Sequence, residues 1–258
     1  MNLTCKGIAL LGLWLIASPV LADEPATRIT WAVGAEFTQG TYGGDADIED
    51  LYIPFKLGLQ GPRYSIDLTV PWLQFTGPAG LIITDPQVPV PDPDARVTES
   101  GLGDVAVGVT LYDVLYSKDL DLALDLRGKV KFGTADVDKG LGTGEADVTV
   151  QADLVKYFDQ VTLIGSAGYR FRGDPAGIDL QDSALASIGG IFRVSDRHRT
   201  GLFFDYRESS ITGEDDILEA SLFLARKLDN GNSLELFVYS GFSDSSADWG
   251  AGFMYRGG

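Results

Sequence analysis

The sequence predicts an all-β fold, a transmembrane up-and-down antiparallel β-barrel of roughly twelve strands with short periplasmic turns and long extracellular loops. Three observations carry this. Apolar and polar residues alternate with a period of two from end to end, long and short connections take turns along the chain, and aromatic residues gather at both ends of the strands. No segment sustains the 3.6-residue period of an amphipathic helix.

The alternation is clearest at residues 119–133, DLDLALDLRGKVKFG. Leu120, Leu122, Leu124, Leu126, Val130 and Phe132 share one phase, whereas Asp121, Asp125, Arg127, Lys129 and Lys131 share the other. Successive side chains of a strand point to opposite faces, so one face is oily and the other ionic. Similar runs occupy Ile29–Phe37, Tyr64–Trp72, Val105–Leu111, Val148–Phe158, Val161–Phe171, Ala184–Val194 and Ala247–Tyr255. Weaker matches at 49–59, 200–208, 216–227 and 232–241 complete an even number of strands, each of about the ten residues that a tilted membrane strand needs.

Long links are expected at 38–47, 75–100, 134–146, 173–182, 209–215 and 241–246, and short ones at Gly61-Pro62, Ser117-Lys118, Asp159, Asp196-Arg197 and Asn230-Gly231. In an up-and-down barrel this sorts all long loops to one end. Trp72, Phe132, Tyr169, Phe171, Phe204, Tyr206 and Trp249 fall toward that end, and Tyr112, Tyr116, Tyr157, Phe158, Phe192, Phe253 and Tyr255 toward the other. Two aromatic girdles are what lipid interfaces select. A soluble sandwich also buries alternating faces, but it explains neither the girdles nor the loop asymmetry. Lys156 stands in the lipid phase near the short-turn end, where its stem reaches water.

Residues 1–22 read as a secretory signal peptide: Lys6 precedes an apolar run too short to span a bilayer, and Val20-Leu21-Ala22 has the form of a cleavage site. Residues 23–258 are then the barrel, destined for the cell outer membrane. The only cysteine, Cys5, lies in the leader, which excludes disulfides and thiol catalysis afterwards. Loss of Lys6 takes the net charge from −17 to −18, so nucleic acid is not an expected partner. The expected partners are outer-membrane lipid and lipopolysaccharide, the outer-membrane assembly machinery and a small-molecule solute.

Two glycine-bearing stretches stand out. One is SGLGDVAVGVTLY (100–112) and the other is VKFGTADVDKGLGTGEADV (130–148). Both resemble signatures of the outer-membrane "MetA-pathway of phenol degradation" family. The matching positions are Ser100, Gly101, Gly103 and Asp104, with Gly142, Thr143, Gly144 and Asp147. The resemblance implies an outer-membrane barrel that passes small, often hydrophobic or aromatic compounds, and it transfers no catalytic residue. Gly133-Thr134-Ala135-Asp136 departs from the Pro-Thr-Gly-Asp more usual there, and the chain ends on Gly257-Gly258 rather than on an aromatic residue. Physically, both motifs lie at the long-loop rim, where glycine suits tight bends and close backbone approach.

Catalysis has little support. His198, the single histidine, sits in a short turn, and HExxH, CxxC and phosphate-loop patterns are absent from the sequence. Nothing points to a cofactor or a metal. The functional material is the polar phase: Lys56, Asp121, Asp125, Arg127, Lys129, Lys131, Asp153, Arg170, Arg172, Asp205, Arg207 and Glu219 are expected to line the lumen. Their near-balanced signs suggest cross-strand ion pairs that stiffen the wall. The other reading is a basic ladder of Arg127, Lys129, Lys131, Arg170 and Arg172 that guides an anionic solute. The acidic loops read as solvated surface, with divalent-cation binding as the alternative. Leu81, Ile82, Ile83, Val88 and Val90 make the proline-rich 75–100 stretch unusually greasy for a loop of that length. The expected function is passive passage of small molecules, with a closed structural or surface-interaction barrel as the alternative and a lipid-modifying enzyme third.

Overall fold

A computed structural model describes residues 27–42, 46–79, 92–175 and 179–258. The expected signal peptide lies outside them, as do Leu81, Ile82, Ile83, Val88 and Val90. The strands are β1 (Arg28–Gly40), β2 (Ile48–Gln60), β3 (Tyr64–Ala79), β4 (Asp92–Leu102), β5 (Ala106–Ser117), β6 (Leu122–Lys131) and β7 (Asp147–Tyr157). They continue as β8 (Val161–Phe171), β9 (Ser183–Arg193), β10 (His198–Arg207), β11 (Ile217–Lys227), β12 (Ser233–Gly241) and β13 (Trp249–Gly257). Consecutive strands pair antiparallel except β4 and β5, which both pair with β3, and β1 pairs with β13 from Trp31↔Gly257 to Gln39↔Trp249, which closes the sheet.

The closed barrel has twelve staves and one extra strand. The lower half of β3, Tyr64–Thr69, pairs with Leu111–Ala106 of β5, and its upper half, Trp72–Ala79, pairs with Leu102–Asp92 of β4. β4 and β5 therefore follow one another along β3: β5 completes the closed ring by pairing with β6 as well, and β4 is the extra strand, paired with β3 alone. This corrects the expectation of a loop over 75–100: the hairpin of β3 and β4 carries strand structure to Ala79 on one side and from Asp92 on the other. Gly77, Pro78 and Asp92-Pro93 hid it, because proline cannot donate to a ladder and reads as a breaker in sequence.

The faces divide as the alternation requires. Leu57, Leu68, Val150, Leu154, Leu222, Leu236 and Val238 are exposed on the outside, whereas Glu36, Asp50, Asp125, Asp153, Glu219 and Glu235 are buried inside. In hydrocarbon an unpaired N–H or C=O costs several kcal/mol, so only a sheet closed on itself presents the first face to lipid without an open edge. Girdle pairs flank the closure seam at both ends: Trp31–Tyr255 below and Phe37–Trp249 above, each 5.5 Å between ring centroids. Lys156 turns its ammonium back to the Leu120 carbonyl and over the Phe158 ring, 5.0 Å from the centroid, as its position in the lipid phase demanded.

Two aromatic residues assigned to the lower girdle belong inside. Between Leu111 and Leu115 the β5–β6 register shifts, and Asp113 takes a left-handed φ of 49° while its N–H donates to Asp125 Oδ1 at 2.8 Å. Tyr112 faces inward, its hydroxyl 3.1 Å from Ser65 Oγ, and Tyr157 packs against the interior cluster. The same region corrects Asp121. It lies exposed in the turn that ends β5, with φ 42°, rather than on the lumen wall.

An arginine in the middle of the lipid face tests this orientation. Leu222, between Leu202 and Val238, is 50% exposed on the outside. Leu222→Arg is expected to lower the unfolding free energy in lipid vesicles by about 2–4 kcal/mol, whereas the same change at Thr149, on the inner face, costs under about 1 kcal/mol. Equal losses at both positions would contradict the assignment of faces.

Candidate functional site: the barrel lumen

On the β9–β13 side the inner wall carries four aromatic rings among buried charged residues. Phe203, Phe223, Phe237 and Tyr239 point inward, each opposite a glycine or small residue of the next strand. A Cβ built on Gly189 would collide with Phe203, one on Gly201 with Phe223, one on Gly252 with Phe237 and one on Gly250 with Tyr239. Each ring thus lies flat over a bare stretch of neighbouring backbone instead of standing across the bore. Phe203 and Phe223 are stacked, 6.4 Å between centroids at 22°. Below and beside them Ala123, Val155, Ile164 and Ile191 complete an apolar band with the lower aromatics. The candidate pore residues did not include these rings. The signal was present in SLELFVYSG, where Phe237 and Tyr239 share a phase with Glu235.

The β6–β8 side carries the ionic wall. Register puts Asp125, Arg127, Lys129 and Lys131 of β6, Asp153 of β7 and Arg170 of β8 on the inner face, with Arg172 just past the end of β8. Arg127 Nε pairs with Asp153 Oδ2, both groups being almost entirely buried, and Gln151 Nε2 donates to Asp153 Oδ1 at 2.7 Å. Lys131 Nζ lies 2.8 Å from Asp104 Oδ2 and 3.4 Å from Asp147 Oδ2. Across the bore, Arg207 pairs with Glu219 at 3.6 Å and Arg256 with Glu235 at 3.9 Å, and the Tyr239 hydroxyl donates to Glu36 Oε1 at 2.7 Å. Lys56 faces inward between Ala32 and Thr69, and Asp205 between Ser187 and Glu219. Ion pairs of this kind hold their partners out of water and stiffen the staves, since removing either member strands a buried charge.

The rim motifs assemble into one joint. The Asp104 carboxylate accepts from the Thr134 and Ala135 N–H groups, both at 2.9 Å, while its other oxygen receives Lys131. Thr134 Oγ1 accepts from the Val105 N–H at 2.9 Å, and the Gly103 N–H donates to the Pro71 carbonyl at 2.9 Å. Where β4 bends away from β6, side chains and loop amides thus replace the missing ladder. Space explains the glycines: a Cβ on Gly101 would press on Leu141, one on Gly103 on Leu73, and one on Gly142 on Ala135 and the Asp104 carboxylate. Gly144 adopts φ 77°, a left-handed conformation that favours glycine. Thr143 is buried and caps the Glu145 N–H at 3.3 Å, Asp147 Oδ1 receives the Gly173 N–H at 3.3 Å, and the Ser100 carbonyl takes Lys139 Nζ at 3.3 Å. His198 opens β10 at the opposite end, its Nδ1 3.0 Å from Ser195 Oγ in the preceding turn.

A closed sheet with a hydrocarbon-facing exterior, girdles at two levels and a polar interior defines an outer-membrane β-barrel protein. Within that class, a family model described as "Putative MetA-pathway of phenol degradation" matches residues 32–256, and the chain belongs to this family. No curated protein matches the sequence. Among solved structures, the barrel is similar to the KdgM porin, at 9% identity and a TM-score of 0.51 over 88% of this chain and 98% of that one. It is similar to the NanC porin at 8% identity and a TM-score of 0.51, covering 89% and 98%. The translocator domain of the autotransporter NalP from Neisseria meningitidis gives 9% identity and a TM-score of 0.51, covering 91% and 88%. Identities this low establish a shared fold.

The rim joint is testable through Asp104. Asp104→Ala removes an acceptor of two amides and one ammonium, and is expected to cost about 1–3 kcal/mol of stability. It should also expose 132–146 to protease added outside proteoliposomes. Unchanged stability together with an intact loop would show that the joint contributes nothing to the rim.

Proposed function

We propose that the protein is a non-enzymatic outer-membrane channel for passive passage of small molecules with an apolar, often aromatic, body. The observation that carries this reading is the matching of the four inward aromatics to four glycines of adjacent strands. That arrangement seats an oily strip of rings on β10–β12, flanked by the ion pairs Arg207–Glu219 and Arg256–Glu235. A solute with a ring slides along Phe203, Phe223, Phe237 and Tyr239 by stacking and desolvation, while the ion pairs of the lumen supply its polar contacts. The single histidine, at the remote end of β10, supplies no base to this interior, which favours transport over hydrolysis. The family's description and the aromatic lining point in the same direction.

The buried interior cluster favours a second reading, a barrel filled by its own side chains that acts as a structural or surface-interaction element. Planar-bilayer recording separates the two. Steady ohmic steps from purified protein are expected of the channel, and their absence in correctly folded protein would support the filled barrel instead.

The glycine match makes a sharper prediction. Gly201→Ala forces Phe223 off the wall and into the bore, and single-channel conductance is expected to drop to about half or less. Gly165→Ala, at a position with open space around a built Cβ, should leave it unchanged. Equal conductance in both variants would remove the aromatic wall from the pathway.

A further inference from the structure

The residue after β1 that matters most is Tyr42. It follows the strand in a loop, takes a left-handed φ of 47° without being glycine, and is nevertheless 0% exposed. A rim tyrosine ordinarily lies in the interface or in water, so a strained backbone that drives the ring inward needs a compensating hold. The hold is visible. The Tyr42 hydroxyl lies 3.2 Å from Thr38 Oγ1, which donates to Asp50 Oδ2 at 3.4 Å, and Thr38 and Asp50 face one another across β1 and β2. The ring covers Gly40, where a built Cβ would meet Tyr42 Cε2 at 3.3 Å.

Around it, the buried cluster runs across the mouth. Ile48 comes from β2, Leu73 and Phe75 from β3, Leu141 from the rim joint, Tyr239 from β12 and Ala247 from the β12–β13 link. The phenol lies within electrostatic reach of Asp50 and Glu36 beside it, and of Glu219 on β11, three staves away from β1. Fully buried, and anchored on β1 within a cluster that also draws on β2, β3, β12 and the rim joint, the ring is part of the packing at the mouth.

We propose that Tyr42 is the plug of this channel and the residue that sets the size of solute it admits. Thr38 and Asp50 act as positioning residues that hold the ring across the mouth. The inference rests on the channel reading above, and it assigns the narrowest point to one side chain near the extracellular end rather than to the ionic wall.

The test compares potassium chloride conductance in planar bilayers, and swelling of proteoliposomes in arabinose, for the full chain and for Tyr42→Gly. Glycine removes the ring and tolerates the left-handed backbone, and heat-modifiable migration on gels checks that each barrel is folded. The expected result is conductance raised by about twofold or more, with faster swelling. Tyr42→Trp keeps the cluster filled with a larger ring and should lower both readings, so the inference does not hang on one variant's folding. If the unaltered protein conducts and neither substitution changes it, Tyr42 is not the plug, and the channel reading stands. If folded protein and folded Tyr42→Gly are both silent, removing the ring has opened nothing, and both readings fall.

Discussion

Hydrogen bonding of the backbone in a medium without water is the constraint on which this structure depends. Every peptide group at membrane depth must find a partner in the protein, and a sheet achieves that only by joining its first strand to its last. Here β1 meets β13 over nine consecutive residue pairs, from Trp31 to Gln39. Closure in turn creates an inside. The alternation of side chains, a local property of extended backbone, becomes a division between lipid and lumen only because the ring is complete.

Once an inside exists, its contents must be reconciled with burial. Charges there are neutralised in pairs across neighbouring strands, as with Arg127 and Asp153 or Arg207 and Glu219. Aromatic rings are reconciled by glycine: a missing Cβ lets Phe223 or Tyr239 lie against backbone and bury its face without filling the bore. The rim obeys the same logic. Where β4 bends out of the ring, the Asp104 carboxylate takes over the amides that a strand would otherwise have paired. One constraint thus accounts for the wall, the lining and the joint.

Much of this was legible in the sequence because it is periodic. Strands, their phases, the girdles and the segregation of long loops each follow from a repeat that local composition exposes. Departures arise where periodicity breaks. The bulge at 112–114 sets two extra residues of β5 against β6, an offset that leaves no mark in composition. Tyr112 and Tyr157, by contrast, keep the inward phase of Thr110 and Asp153 and depart only from the girdle reading. The hairpin of β3 and β4 was hidden by prolines that stand outside the closed ring. The rim motifs read as a corner that needs glycine, and they form one, but their common dependence on Asp104 becomes visible only when Thr134 is folded back onto Val105. Cross-strand matches such as Phe223 on Gly201 are invisible for a deeper reason: they belong to register, which links positions tens of residues apart. Tyr42 gave no signal at all, being one aromatic among polar loop residues.

The most direct measurement is of the seam itself. Residues 27–258 contain no cysteine, so paired cysteines report cleanly on who sits beside whom. Val33 and Tyr255 are register partners across β1 and β13, whereas Val33 and Ala251 are four residues out of register. Oxidation of Val33→Cys with Tyr255→Cys in outer-membrane vesicles should link the two ends of one chain rapidly and within the monomer, and the out-of-register pair should stay reduced. Links formed only between chains, or equally well by both pairs, would mean that the first and last strands do not meet as described and that the lumen has no wall.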